Sequence, residues 1–396
     1  VTGSVARQVR DRLERRRDEM VELLGELVSI ESGSDDPEGL AAMAVRLEEL
    51  FGEFAPPTRH PPGHLLFVLP GAADTGHAGS AQEATARTGR GKGGGHTLVI
   101  GHYDTVWPRG TLRRMPFRVD DGVLTGPGCF DMKGGLVLLY FALRELRALG
   151  RAPVRQTRIL LTCDEEIGSV TSRDLIADLA GAAEVAYVLE SPLPGGALKT
   201  ARKGVAKYTV RVQGRAAHAG IEPEKGASAI VEVAHQICQL HALTDLERGT
   251  TVNVGVVRGG TRPNVVAAEA EAQVDVRVAT RAESERVHVA ITGLRPVNPQ
   301  TVVSVTSGPS RPPMERTDGI ARLFARAREI AGDVGMDLGE GATGGGSDAN
   351  LVAEAGVPTL DGLGPEGAGA HADHEQVLIE SLPRRAALLA GLLAEV

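Results

Sequence analysis

Apolar residues in the first fifty positions recur at helical spacing, over 4–28 and again over 38–51. Two short unbroken apolar runs follow, HLLFVL at 64–69 and TLVIG at 97–101, and these read as buried strands. Between them lies GAADTGHAGSAQEATARTGRGKGGG, residues 71–95, rich in Gly, Ala, Thr and Ser. It reads as a flexible surface insertion. From 97 to 190 strands alternate with helices: TLVIG, a helix over 134–149, TRILLTC, a helix near 171–180, then VAYVLE. That alternation predicts an α/β layer with a largely parallel sheet, in which ligands gather at the C-terminal ends of strands.

The pattern changes over 205–306. VAKYTVRVQ alternates, with Tyr208, Val210 and Val212 on one face, and a helix follows with Ile230, Val233, Ile237 and Leu240 at helical spacing. Two more alternating strands, TVNVGVV and AEAQVDVRV, a helix over 281–294 and the strand VVSVT complete a β-α-β-β-α-β order. This is the ferredoxin-like split motif. It predicts an inserted lid domain, 204–313, within a catalytic α/β domain made of 1–203 and 314–396. After 314 come a helix over 317–331, the Gly-rich GATGGGSDAN, the apolar VPTL and a last helix, for which Ser381 and Pro383 suit the N-cap and first turn.

Composition narrows the function. A net charge of −8 argues against nucleic acid or an anionic membrane as partner. The basic stretch RDRLERRR alternates with acids and reads as a solvated helix face. The longest apolar run, LVLLYFAL, is far shorter than the roughly 20 residues of a membrane span. No apolar signal-peptide core is seen near the start, and the three cysteines are scattered, so a cytoplasmic location with reduced thiols is expected.

Acids and histidines collect where strands end. His102 and Asp104 follow TLVIG, Glu165 and Glu166 follow TRILLTC within TCDEEIGS, and Glu190 follows VAYVL. Asp131 lies in a Gly-rich turn that opens a helix, where it could equally be an N-cap, and His371 lies in GAGAHADHE. Imidazole and carboxylate are ligands for zinc and for harder divalent cations. Three adjacent acids after an apolar run need positive charge nearby if they are buried. Asp164 is open to a solvent-facing, structural or functional role.

GHYDTV, GPGCFDMKGG, DEEIGS, the Glu closing VAYVLESP, and GAGAHADHE resemble the five signatures of the dinuclear zinc aminoacylase/carboxypeptidase family, in its order and across the chain. WPRGTL and PFRVDDGVLTGPG look most like the glutamate carboxypeptidase branch. The resemblance implies two Zn²⁺ ions per subunit, other divalent metals being possible. His102 and Glu190 would complete one zinc, Glu166 and His371 the other, and Asp131 would bridge both. The ligand would be His371 and not His374. Glu165 would act as general base on the zinc-activated water, and Asp104 would hold His102 from behind.

In the lid, the resemblance makes His218 of RAAHAGIEP an oxyanion stabiliser, from its own or a neighbouring subunit. Asn264 of TRPNVV and Arg277 of VDVRV would contact the substrate carboxylate, although Arg277 could instead form a cross-strand salt bridge. Arg311, near the return to the catalytic domain, is a further candidate for carboxylate recognition. GGGSDAN could offer backbone N–H groups to substrate or serve as a helix-entry loop capped by Ser347 or Asp348. Trp107 could line the pocket or pack its rim. The expected activity is a zinc carboxypeptidase that releases a C-terminal amino acid, glutamate favoured, from a small peptide or N-acyl amino acid, as a homodimer through the lid. An N-acyl amino-acid deacylase is the enzymatic alternative, and a degenerate binding protein the non-enzymatic one.

Overall fold

The computed structural model describes residues 3–72 and 95–396, so most of the predicted 71–95 insertion lies outside the described residues. The chain divides into two compact units, Val1–Thr200 with Arg316–Ala342 and Leu351–Val396, and Ala201–Glu315 with Thr343–Asn350.

The first unit is built on a six-stranded sheet in the order Pro57–His60, His64–Leu69, Thr157–Thr162, His96–His102, Ala183–Val188, Thr359–Leu360. The last four strands run parallel; the first two form an antiparallel edge. The apolar runs are unbroken because both faces are covered. Val99, Ile159, Leu161 and Tyr187 face one core, shared with the helices Gly134–Ala148 and Ser381–Glu395, while Leu98, Ile100, Leu160 and Ala186 face a second with Ile176 and Leu179. No helix of the described residues is long and apolar enough to cross a membrane.

Three local expectations are corrected in this unit. The helix expected over 4–28 is broken into Val5–Leu13, a 3-10 turn at Glu14–Arg16, and Arg17–Ser29. The break falls within the basic stretch, which is not simply a solvated face. Arg12 pairs with the buried carboxylate of Glu145, and Arg16 reaches its other oxygen at 2.6 Å. The pull of a buried acid, invisible to helical periodicity, thus draws two of these arginines inward. The last helix begins at Ser381, whose hydroxyl accepts from Glu366 N and donates to Leu378 O, so Ser381 ties the preceding loop instead of capping.

In the second unit the strands lie in the order Thr251–Gly259, Glu269–Val278, Gly204–Gln213, Val302–Arg311, every pair antiparallel. This is the ferredoxin-like arrangement, with Tyr208, Val210 and Val212 buried beneath Val233 and Leu240 of the helix Ala229–His241. Ile230, expected in that core, is instead 44% exposed, because the buried stripe runs through Ala229, Val233 and Leu240. This unit also takes in Thr343–Asn350, which the sequence reading places with the catalytic domain. Asn350 Nδ2 bridges the carbonyls of Lys203 and Pro312, at 3.2 and 2.7 Å, and so holds the segment there.

Glu145→Gln is expected to lower the unfolding free energy by about 1–3 kcal/mol, since one arginine loses its charged acceptor. Urea unfolding checks this; an unchanged midpoint would show that the arginine pair adds nothing to the fold.

Candidate metal centre

The parallel strands bring their C-terminal ends level. In register, His102 lies beside Thr162 and Ile100 beside Val188, so His102, the Asp164–Glu166 turn and Glu190 emerge along one edge. Asp131 arrives from the turn before helix Gly134–Ala148. It does not cap that helix, whose N-cap position is held by Lys133, two residues on; Asp131 itself is extended, with φ/ψ of −122°/95°. Gly128 makes that turn possible, with φ of 73° and only 2.6 Å between its would-be Cβ and the Thr105 methyl. His371 has φ of 62°, a left-handed conformation uncommon for non-glycine residues and frequent at functional sites.

Asp131 lies between two imidazoles. Its Oδ1 is 3.2 Å from His102 Nε2 and its Oδ2 is 3.2 Å from His371 Nε2. His102 Nε2 is also 3.6 Å from Glu190 Oε1, and His371 Nε2 is 3.2 Å from Glu166 Oε2. Ligand atoms of His102, Asp131 and Glu166 lie within 4.8 Å of one another, as do those of His102, Glu165 and Glu190. The structure therefore gathers His102, Asp131, Glu165, Glu166, Glu190 and His371 at one place. His374 is exposed and makes no ion pair with a carboxylate among the described residues.

Asp104 does more than stand behind His102. Its Oδ1 lies 3.4 Å from His102 Nδ1, which has its carbonyl oxygen nearer, at 3.0 Å. The same carboxylate accepts from Ser34 Oγ at 2.8 Å and from the backbone N–H groups of Glu165 and Glu166 at 3.2 Å. One buried acid thus sets both the imidazole and the turn carrying the two glutamates. Asp164 is structural: it accepts from the hydroxyls and N–H groups of Thr171 and Ser172, between 2.6 and 3.2 Å. Burial works against its charge, yet these bonds hold its carboxyl below the usual range.

Charge governs the cluster. Burial disfavours the His102 imidazolium, but Asp104, Asp131 and Glu190 outweigh it and raise the pKa well above the ordinary value. Asp131 and Glu166 hold His371 up at about 10. Burial raises the Glu166 carboxyl despite His371, and its Oε1 is buried with no hydrogen-bond partner. Crowded carboxylates drawing positive charge, and an orphaned buried oxygen among nitrogen and oxygen donors, fit divalent cations.

Sequence reasoning missed the part played by Glu375, although it lies in plain sight four residues after His371. This fully buried carboxylate accepts from Trp107 Nε1, Gly128 N, Phe130 N and Asp131 N, between 2.8 and 3.0 Å. Its burial raises the carboxyl, and the backbone N–H groups partly oppose the rise. Trp107 thereby packs inside, under the Arg114 guanidinium, 5.4 Å from the ring centre.

The lid residues form two pairs at opposite ends of their sheet. His218 and Asn264 meet through backbone, with Ala219 N donating to Asn264 O at 3.0 Å. Arg277 and Arg311 both pair in register with Val205, which places them in one row. Arg277 is held by Asp275 at 2.8 and 3.1 Å and donates to Gly344 O at 3.2 Å, so its ion pair runs along the strand and not across it. Arg311 lies 3.5 Å from Asp348. Ser347 Oγ accepts from Ala349 N at 3.1 Å, as a helix-entry residue does.

Comparison with known proteins agrees with this architecture. The model of peptidase family M20/M25/M40 matches residues 98–395. Carboxypeptidase G2 of Pseudomonas sp. (strain RS-16) is 31% identical over 406 aligned positions, covering 100% of this chain and 95% of the relative. Aminopeptidase PepT of Bacillus cereus ATCC 10987 is similar in fold, with a TM-score of 0.75 at 24% identity, over 96% of this chain and 98% of that one. The YXEP protein of Bacillus subtilis, a dinuclear metal-binding peptidase from the M20 family, has a TM-score of 0.68 at 14% identity, over 96% and 98% of the two chains. With a family match over most of its length and a carboxypeptidase relative aligned from end to end, this chain belongs to peptidase family M20/M25/M40, a family of hydrolases.

Proposed function

We propose that the chain is a two-zinc carboxypeptidase that hydrolyses the amide bond before a C-terminal amino acid, with glutamate as the preferred leaving residue. The observation that carries this reading is Asp131, whose two oxygens each lie 3.2 Å from a different imidazole, so that it would be the residue common to both ions. His102 and Glu190 would hold one ion, and His371 and Glu166 the other. When bound, the ions supply Lewis-acid polarisation of the scissile carbonyl and acidify water.

The chain's own residues do the remaining work. Glu165, 7% exposed and next to His102 and Glu190, accepts a proton from the attacking water as the new C–O bond forms. It returns that proton to the amine nitrogen as the C–N bond breaks. Asp104 keeps the Glu165 backbone in place meanwhile, through the 3.2 Å bond to its N–H. His218, from the lid, would donate to the developing oxyanion, and Asn264 to the substrate carboxylate. Because the lid sheet sets His218 and Asn264 at the end away from Arg277 and Arg311, a second subunit is the natural supplier of one pair. Arg277 and Arg311, in one row beside the Gly344–Gly346 loop, suit the carboxylates of a glutamate leaving group.

An exposed lid edge supports the homodimer. Among the described residues, strand Thr251–Gly259 is paired on one side only and carries Val256 and Val257, 39% and 49% exposed, with the half-exposed Ile230 beside Gly259 at its end. Unpaired strand edges with apolar side chains seek a partner.

Zinc-loaded protein is expected to release glutamate from N-benzoyl-glutamate, and chelation to abolish the release; zinc bound without release would move the reading to a deacylase or another leaving residue. Glu165→Gln should lower kcat by about 10²–10⁴-fold while leaving metal content at the parental level, measured by steady-state kinetics and elemental analysis. Full activity in that variant would remove Glu165 from the chemistry. Val257→Lys is expected to shift the protein from dimer to monomer in light scattering coupled to size exclusion, with loss of glutamate release. A dimer unaffected by the change would place the interface elsewhere.

A further inference from the structure

Glu375 is a buried carboxylate with no cationic side chain at hydrogen-bond distance among the described residues; the four hydrogen bonds it accepts all come from N–H groups. Three of those donors belong to the turn that delivers Asp131, one of them Asp131's own N–H at 3.0 Å. The fourth is the indole of Trp107, at 2.8 Å. Glu375 itself closes the loop that delivers His371. In that loop Glu375 N donates to Ala372 O and Ala372 N to Gly369 O, both at 2.9 Å. Gly369, with φ of 79°, packs so tightly on residues 374 and 375 that a Cβ there would lie 2.8 Å from His374 O. The loop is therefore a compact unit, and the Glu375 side chain joins it to Trp107 and to the backbone of the Asp131 turn.

We propose that Glu375 is a positioning residue for the metal centre. It fixes the His371 loop to the Asp131 turn, and so sets how tightly that pair holds a divalent cation. The inference rests on the metal-centre reading above and adds to it a determinant of affinity outside the ligands. Carboxylate is the group the place demands: four N–H groups converge on two oxygens, and an amide would turn its own NH₂ toward donors. Groups that orient ligands without touching the metal change affinity because a misplaced ligand must be moved before it can bind.

The test measures zinc affinity by competition with a chromophoric chelator, in folded protein, with fluorescence of the unique Trp107 as a second signal in variants that keep it. Glu375→Gln is expected to weaken zinc binding by about 10–100-fold. Trp107→Phe removes one of the four donors and should weaken it by about 3-fold or more. Glu145→Gln, which also removes a buried charge but lies away from the site, should leave affinity at the parental value. Parental affinity in Glu375→Gln, or equal loss in Glu145→Gln, would overturn the proposal while leaving the metal centre standing. Should Glu375→Gln fail to fold, unchanged affinity in Trp107→Phe would overturn it instead. A parent protein that binds no zinc would overturn both readings.

Discussion

The fold is organised around a repulsion. Asp131, Glu165, Glu166 and Glu190 converge on one edge of a sheet whose strands are buried on both faces, and with them come only two imidazoles. Carboxylates packed this closely cannot all stay ionised without compensating charge. Two divalent cations, as proposed, would provide four positive charges, enough to offset the four carboxylates. The upward pull on both His102 and His371 is the same demand expressed through protons. The site calls for positive charge, and the surrounding structure holds its crowded carboxylates in place against their repulsion.

That work falls largely to three further acids. Asp104, Asp164 and Glu375 are all buried, and each accepts hydrogen bonds from backbone N–H groups, Asp104 and Glu375 from another segment and Asp164 from the far end of its own loop. A carboxylate satisfied by N–H dipoles needs no cationic side chain of its own. Asp104 ties the His102 strand to the glutamate turn, Asp164 ties that turn to the next helix, and Glu375 joins the two outer loops. The cluster is thus bordered by buried acids that accept most of their hydrogen bonds from backbone N–H groups and hydroxyls, Asp104 also standing against the His102 ring.

The lid follows a different logic. Its topology is carried by alternation and by a hydrophobic face, both properties of the local sequence. Which of its polar residues meet depends on strand register. Arg311 comes level with Val205 only because the strand shifts register between Ser307 and Ser310. A one-residue change there would put it on the other face.

By itself the sequence determined the layer architecture, the split β-α-β-β-α-β lid and the set of acids and histidines at strand ends. These follow from periodicities of two and 3.6 residues and from the rule that ligands gather where parallel strands finish. The same periodicities explain the errors: Ile230 has the right spacing but lies off the buried stripe, and RDRLERRR looks solvated until Glu145 is seen behind it. Only the tertiary structure decided that Asp131 faces two imidazoles and does not cap a helix. It alone showed that Arg277 is engaged by Asp275 and that Glu375 joins residues 107, 128–131 and 371. The reason is physical. Burial and charge compensation bring together residues hundreds of positions apart, and no local pattern along the chain records where those segments meet.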